Sequence, residues 1–368
     1  TEVVLVSMPF AGVERPSIGL SLLKAALRAT DLRAVVIYGN LLFAEDVGLQ
    51  KYIHWTTTFP GMHNEWIFAE AAFPDFRPDQ TAYFEDYWNC LTARGAHVAF
   101  DKLAEQLLYL RQQAVQFVDL LARRILEYQP RIVGCSSIFA QHTASLALLR
   151  RVQALQPEIM TLLGGPNCEG SLGLATLQAF PWVDFVVSGE ADALMGDLCR
   201  LLLAQGKAVS QDRLPDGVLG PAYRQASPGE GDAVPRSVVD RLDTLPVPDY
   251  DDYFQLLATL AIGKSIHPTL LIETSRGCWW GQKHQCTFCG LNGKALCYRS
   301  KSPERILAEF AALTERYHLR DLEVVDNILD LAHIRTVLPV LATVTPPYNL
   351  FYEVKANLTR PHLQQLAD

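Results

Sequence analysis

Apolar residues fall along the chain in two alternating rhythms. Short, nearly unbroken apolar runs occur at 2–10 (EVVLVSMPF), 33–38, 131–137 (RIVGCSS), 159–166 (IMTLLGGP) and 184–190 (DFVVSGE). Elsewhere apolar positions recur at helical spacing, as at Ile18, Leu22, Leu23, Ala26 and Leu27 within 17–29. Compact runs that end in glycine, proline or hydroxyl residues read as buried strands, and the 3.6-residue rhythm reads as helix, here over 17–29, 141–155 and 170–180. Strand, helix and strand in succession predict an α/β fold, a doubly wound parallel, Rossmann-like domain over 1–205.

From 41 to about 100 the rhythm fades and aromatic residues crowd in: Phe43, Tyr52, Trp55, Phe59, Trp66, Phe68, Phe73, Phe76, Tyr83, Phe84, Tyr87 and Trp88. Residues 101–128 then read as one long amphipathic helix, so about 41–128 is expected to be a helical insertion in the sheet domain. Rings of this size suit the core of such an insert, and the alternative is that some cover a flat cofactor or grip a peptide. Residues 206–267 shift toward glycine, proline and acidic residues (PDG, SPGEGD, LPVPDYD), the composition of a linker. A βα repeat follows over 268–368: a strand at 268–274 (PTLLIET), a helix at 303–317, a strand at 322–325 ending in Asp326-Asn327, a further helix, and a strand at 350–354 next to Lys355.

The chain has 368 residues, 49% of them apolar, enough for two or three domains with proper cores. No apolar run approaches the length of a membrane span and no signal-peptide pattern opens the sequence, so a cytoplasmic protein without a membrane partner is expected. A net charge of −8 without a basic run argues against nucleic acid and leaves a peptide or small-molecule substrate. The eight cysteines lack framework spacing and suit a reducing compartment.

Three of those cysteines, Cys278, Cys286 and Cys289, stand in TSRGCWWGQKHQCTFCGLNG (274–293) with the pattern Cys-x7-Cys-x2-Cys. A [4Fe–4S] cluster usually takes four thiolates, so three close cysteines suggest a cluster with one iron open to a small molecule. Gly277, Gly281, Gly290 and Gly293 give the loop freedom to wrap it. A structural zinc site is the alternative, since Cys297 follows and His284 lies within the loop; zinc ribbons, however, generally show two Cys-x2-Cys knuckles, and this chain has one. In the first domain the strand ends read Ser136-Ser137, Gly164-Gly165-Pro166-Asn167 and Ser188-Gly189-Glu190. Ligands bind at such ends in open parallel sheets, and small residues are also what any βα turn needs, so both roles stay open. The absence of GxGxxG after the first strand argues against a nicotinamide dinucleotide. His142 reads as a hydrogen bonder at a helix start, and Asp184 and Asp192 as solvated or capping residues.

Phe288 between the last two cysteines, Gly290 after them and the strand before them resemble the cluster loop of radical S-adenosylmethionine enzymes, whose commoner spacing is Cys-x3-Cys-x2-Cys. The seven-residue gap with WWGQKHQ is similar to a narrower group, the cobalamin-binding radical enzymes that mature ribosomally made peptides (RiPPs), often by C-methylation. The stretches GCSSIFAQHTASLALL, LLGGPNCEG and VDFVVSGEAD resemble the cobalamin domain of that group, and LPVPDYDDYF resembles its connector.

The resemblance implies a [4Fe–4S] cluster on Cys278, Cys286 and Cys289 whose open iron binds S-adenosylmethionine (SAM), and a partial radical SAM β/α barrel. It implies cobalamin contacts at Pro9, Phe10, Ser136, Ser137, Phe139, Gln141, Gly164, Gly165, Pro166, Asn167, Ser188, Gly189 and Glu190. It implies SAM contacts at Phe288, Asp326, Asn327, Glu353 and Lys355; on the residues alone, Glu353 and Lys355 also suit a strand salt bridge. Many cobalamin proteins carry Asp-x-His-x-x-Gly after the first strand, where the histidine ligates cobalt. Here MPFAGVERPSIG has no histidine, which implies easier access to Co(I), with water, Arg15 or an insert aromatic as the alternatives for that face. The implied function is a cobalamin-dependent radical methyltransferase acting on an unactivated carbon of a peptide, served by an electron donor such as a flavodoxin or ferredoxin. The alternatives are a radical rearrangement, epimerisation or cyclisation and, from another class, a zinc-stabilised sensing module. Such a barrel needs more strands than the three legible here, so the chain reads as incomplete at Asp368.

Overall fold

A computed structural model describes residues 1–57, 62–225, 234–284, 286–289 and 297–367. The chain forms two compact units: Thr1–Val13, Gly19–Val238 and Asp249–Ile266 make the first, and Glu14–Ile18, Val239–Pro248 and His267–Asp368 the second.

In the first unit β1 (Val3–Ser7), α1 (Ile18–Arg28) and β2 (Ala34–Tyr38) follow the expected order. After the insert come β3 (Ile132–Ser136), α7 (His142–Leu155), β4 (Met160–Gly164), α8 (Ser171–Ala179), β5 (Phe185–Val187), α9 (Met195–Gln205), β6 (Val218–Leu219) and α10 (Asp251–Thr259). The six-stranded sheet has the order β2-β1-β3-β4-β5-β6, parallel through β5, with β6 antiparallel to β5. The order reverses between β1 and β3, the switch point where doubly wound sheets open a crevice at the carboxyl ends of the strands. The strands read as continuous apolar runs because helices cover both sheet faces; Val3, Val4, Leu5 and Val6 are all buried.

Among the described residues the insert contains five helices, α2 (Gly39–Val47), α3 (Leu49–Thr57), α4 (His63–Ala72), α5 (Gln80–Ala93) and α6 (Phe100–Leu126), lying in sequence between β2 and β3. Its rings form a core. Phe43, Tyr52, Phe68 and Phe84 are buried, Trp66 stacks on Tyr83 at 5.0 Å, and the buried Arg111 of α6 holds Glu70 at 2.8 Å with its guanidinium over Trp66. Phe76 is exposed, and Phe59 lies outside the described residues.

The reading of 206–267 as a linker is corrected. Residues 206–238 and 249–266 belong to the first unit, where they supply the edge strand β6 and helix α10. Tyr250 and Tyr253 are fully buried, and Asp249, 2% exposed, takes ion pairs from Lys24 and Arg28. Glycine and proline here serve turns and a short edge strand, which share their composition with linkers.

The second unit contains β7 (Leu270–Ile272), β8 (Ser275–Arg276), β9 (Arg299–Ser300), α11 (Pro303–Tyr317), β10 (Asp321–Val324), α12 (His333–Thr336), α13 (Leu338–Leu341), β11 (Asn349–Phe351) and α14 (Arg360–Ala367). β7, β10 and β11 form a parallel sheet in the order β11-β10-β7, as the three-strand βα reading expects. Helix α11 starts where Ser302 accepts from the Arg305 amide at 3.2 Å and Pro303 fills the first turn. Among the described residues no helix is long and apolar enough to cross a membrane.

One hydrogen bond tests the membership of 249–266. Tyr253 Oη donates to the Val13 carbonyl at 2.7 Å in a buried setting. Tyr253→Phe leaves that carbonyl unpaired and is expected to cost about 1–3 kcal/mol of stability, read by urea unfolding; an unchanged midpoint would return the segment to linker status.

Candidate functional site

The carboxyl ends of β3, β4 and β5 are joined by hydrogen bonds that continue past the strand ladder. The Ser137 amide donates to the Gly164 carbonyl at 2.8 Å and the Asn167 amide to the Ser137 carbonyl at 3.1 Å. Asn167 Nδ2 donates to Ser137 Oγ at 3.0 Å and to the Phe139 carbonyl at 2.9 Å. Gly165 has φ +93°, and a Cβ there would lie 2.7 Å from the Ser137 carbonyl oxygen, so only glycine fits.

His142 opens α7, with Nδ1 3.0 Å from Ser137 Oγ and Nε2 3.3 Å from Thr176 Oγ1, as its reading as a helix-start hydrogen bonder expects. Burial holds its pKa below the ordinary histidine value. Glu65 of the insert caps the same helix, accepting from the His142 amide at 3.0 Å and the Thr143 amide at 2.6 Å, an anion at the positive end of the helix dipole. Farther along, Glu190 donates its amide to the Ser237 carbonyl, and Arg236 pairs with Glu169 at 2.5 Å and reaches Glu190 at 4.0 Å. Glu65, Glu169 and Arg236 join this region over long sequence separations, and no local pattern marks them.

Of the residues expected to contact a ligand here, Phe139 and Pro166 are exposed, and Ser136, Gly164, Gly165, Asn167, Gly189 and Glu190 are half-buried. Phe139 stands with φ +49° and 72% of its surface open. Five others have their side chains engaged inside the fold. Phe10 stacks on Tyr52 at 5.3 Å and meets Phe43 and Phe68, and Pro9 is buried beside it. Gln141, 2% exposed, donates Nε2 to the Met8 carbonyl at 2.5 Å and accepts from the Ile138 amide. Ser188 Oγ is buried on the Gly170 amide, and Ser137 Oγ is held by His142 and Asn167. Asp184, read as solvated or capping, is instead buried, accepting from the Thr161 amide at 2.9 Å and pairing with Lys207.

In the second unit the cysteine loop rises between β8 and β9, whose ladder pairs Ser275 with Ser300 and Arg276 with Arg299 and so closes the loop at its base. Gly277 has φ +87°, and a Cβ there would collide with the Cys297 carbonyl. Cys278, Cys286 and Cys289 are half-buried and outside any disulfide, while Cys297 is exposed. The Gly281 amide donates to Cys278 Sγ at 3.2 Å, a bond of the kind that supports a thiolate. Among the described residues no three His, Cys, Asp or Glu side chains are drawn together as a metal-ligand set; residues 285 and 290–296, with Gly290 and Gly293, lie outside the described residues. Three thiols on a loop with a closed base are nonetheless a donor set suited to a cluster.

Beside this loop, Phe288 is 91% exposed, Trp279 Nε1 donates to the Leu329 carbonyl, and Lys355 Nζ lies 4.1 Å from the centre of the Trp280 ring. Asn327 and Glu353 are exposed at the carboxyl ends of β10 and β11. Arg15 pairs with Glu323 at 2.9 Å, within the second unit. Asp326 turns inward. It is 2% exposed, and its carboxylate accepts from the Thr274 amide at 2.8 Å, Thr274 Oγ1 at 2.5 Å and Ser275 Oγ at 2.6 Å, tying β10 to the root of the cysteine loop. Burial outweighs those three hydrogen bonds and lifts its pKa to about 6.

No protein-family profile matches the chain. Over 240 residues, 64% of the chain and 46% of the relative, it is 26% identical to an uncharacterized methyltransferase of Pyrococcus horikoshii. Over 202 residues, 54% of the chain and 34% of the relative, it is 25% identical to an anaerobic magnesium-protoporphyrin IX monomethyl ester cyclase of Rubrivivax gelatinosus. The chain therefore spans less than half the length of these curated relatives. Its whole length matches 41% of the cobalamin-dependent S-adenosylmethionine radical enzyme OxsB with aqua-cobalamin bound, at TM-score 0.57 and 14% identity. It matches 59% of the radical S-adenosylmethionine methyltransferase TsrM from Kitasatospora setae, which holds cobalamin and a [4Fe–4S] cluster, at TM-score 0.53 and 13% identity. A second TsrM structure, with tryptophan and a SAM analogue, matches at TM-score 0.50 and 14% identity. At such identities the likeness is one of fold, an α/β architecture with a mainly parallel sheet shared with cobalamin-dependent radical SAM enzymes.

The buried Asp326 carboxyl gives the second unit a pH signature. Its folded pKa of about 6 stands above the usual 3.8, so folding takes up a proton between those values. Stability from this group is greatest below pH 4 and falls as pH rises toward 6. The unfolding midpoint of the wild type minus that of Asp326→Asn should therefore decline across this window and level off above it; a difference flat in pH contradicts the assignment.

Proposed function

We propose that the chain provides the cobalamin-binding sheet domain and the radical S-adenosylmethionine strands of a methyltransferase acting on an unactivated carbon. The observation that carries this reading is the pairing, in one chain, of two strand-end faces. One is a 2-1-3-4-5 parallel sheet with glycine and hydroxyl residues at its carboxyl ends; the other is a Cys-x7-Cys-x2-Cys loop at the carboxyl end of a second parallel sheet. Likeness in fold to OxsB and TsrM, and in sequence to a protein named a methyltransferase, supports it.

When bound, the cofactors would supply the radical that removes a substrate hydrogen and the methyl group that replaces it. The protein's part is to hold and shield. Cys278, Cys286 and Cys289 would hold the cluster, with the Gly281 amide favouring the Cys278 thiolate. Asn327, Glu353 and Lys355, at the ends of β10 and β11, would position SAM together with Phe288, and Asp326 keeps the loop root against β10. Ser136, Phe139, Gly164, Gly165, Pro166, Asn167, Gly189 and Glu190 would line the corrin, while Ser137 and Gln141 set the loop that presents Phe139. The substrate class is a ribosomally made peptide or a small molecule such as the amino acid held by TsrM. The electron donor would be a flavodoxin or ferredoxin of the same reducing, cytoplasmic compartment.

A second reading, cyclisation or another isomerising radical reaction without methyl transfer, is favoured by the likeness to the Rubrivivax gelatinosus cyclase. Product mass separates them: methyl transfer adds one CH2, rearrangement or epimerisation adds nothing, and ring closure between two C–H positions removes two hydrogens. The reading is tested by Cys286→Ala, which should abolish reductive cleavage of SAM while cobalamin stays bound after desalting. SAM cleavage at the wild-type rate in that variant would sink the cluster assignment.

A further inference from the structure

A cavity of about 200 Å³ lies at the carboxyl end of β3, lined by Met62, His63, Asn64, Glu65, Phe139 and Ala140. Most of its polar groups are already engaged. His63 Nε2 is 2.9 Å from the Trp55 carbonyl, both Glu65 oxygens accept from the first amides of α7, and the Phe139 carbonyl accepts from Asn167. The Ala140 carbonyl accepts from the Phe10 amide at 3.4 Å. Asn64 differs: it is 4% exposed, yet its Oδ1 is buried with no hydrogen-bond partner among the described residues.

A buried amide oxygen without a donor is costly, and an unexplained one marks a place where a partner belongs. The cavity is several times the roughly 30 Å³ that one water occupies in the liquid, so it admits a short organic group. With the polar groups of His63 and Glu65 engaged, most of the surface it exposes is apolar, and Met62 and Phe139, each 72% exposed, are part of its lining. A side arm that is aliphatic along its length and ends in an N–H donor satisfies both features.

We propose that Asn64 binds a primary amide arm of the corrin ring. This rests on the cobalamin reading above. Cobalamin carries acetamide and propionamide arms around its ring, and a primary amide pairs with a carboxamide side chain through one donor and one acceptor on each. Asn64 is then a binding residue supplied by the insert, which explains why the insert reaches the strand ends: α4 carries both Asn64 and the carboxylate that caps α7.

The test is a titration with hydroxocobalamin, followed by its absorption after desalting, on the wild type and on Asn64→Leu and Asn64→Asp. A parallel series uses cobalamin derivatives with a single amide arm hydrolysed to the acid. The wild type should bind one of those derivatives about tenfold more weakly than cobalamin, the scale of one lost hydrogen bond. Asn64→Leu should bind cobalamin about tenfold more weakly and no longer distinguish that derivative, while Asn64→Asp, which keeps an acceptor, should lie between. Thermal unfolding at the wild-type temperature shows that the variants are folded. Equal wild-type affinity for cobalamin and every derivative overturns the inference whether or not a variant folds. So does Asn64→Leu binding as tightly as wild type, which would mean that Asn64 is satisfied by water. Wild-type protein that retains no corrin would instead overturn the cobalamin reading itself.

Discussion

The first unit depends on how closely backbone approaches backbone beyond the strand ends. Past the ends of β3 and β4, Ser137 goes on bonding with Gly164 and Asn167 through main-chain groups, and past the end of β5, Ser188 does the same with Gly217 and Ser237. That approach is available only to glycine at 165, 189 and 217, each with positive φ and each with a neighbouring main-chain or side-chain atom where a Cβ would stand. These backbone groups are satisfied among themselves. Phe139 and Pro166 stand exposed on the loops so braced, a condition under which a loop presents a binding surface.

A comparable constraint works in the second unit with a charge in place of glycine. The Asp326 carboxylate collects three donors from Thr274 and Ser275, the residues that lead into the cysteine loop. A buried carboxyl is tolerated when its oxygens are paired, and removing the donors would leave the full desolvation cost. The β8/β9 ladder, Gly277 and Asp326 together hold the root of the loop, while the thiols themselves are not drawn into a ligand set among the described residues.

Much of the architecture was legible because buried parallel strands must be apolar on both faces. The runs at 2–10, 131–137, 159–166 and 184–190 all contain strands, and the aromatic stretch is a helical insert. Side-chain direction was the part that failed. Phe10 and Gln141 sit in the expected loops, but Phe10 joins the ring cluster of the insert and Gln141 crosses to the Met8 carbonyl, contacts set by the tertiary fold. Asp326 looked available because it follows a strand, and its carboxylate turns inward. The segment 206–267 failed for a different reason: glycine and proline describe a tight turn beside an edge strand as well as a linker, and its buried tyrosines were the overlooked signal. Arg236 and Glu65 are bonded to the strand-end loops from far along the chain, and Asn64 shares a cavity with Phe139 and Ala140, none of which a local pattern encodes.

The central claim is that this one chain offers a thiolate set for an iron–sulfur cluster and a strand-end surface for cobalamin. It is tested most directly by reconstituting the protein anaerobically with iron, sulfide and hydroxocobalamin, desalting it, and measuring metal content together with the absorption spectrum. The account predicts about four irons per chain with broad cluster absorption, and corrin bands retained in the same sample. Zinc in place of iron, or a desalted protein without corrin, would contradict it.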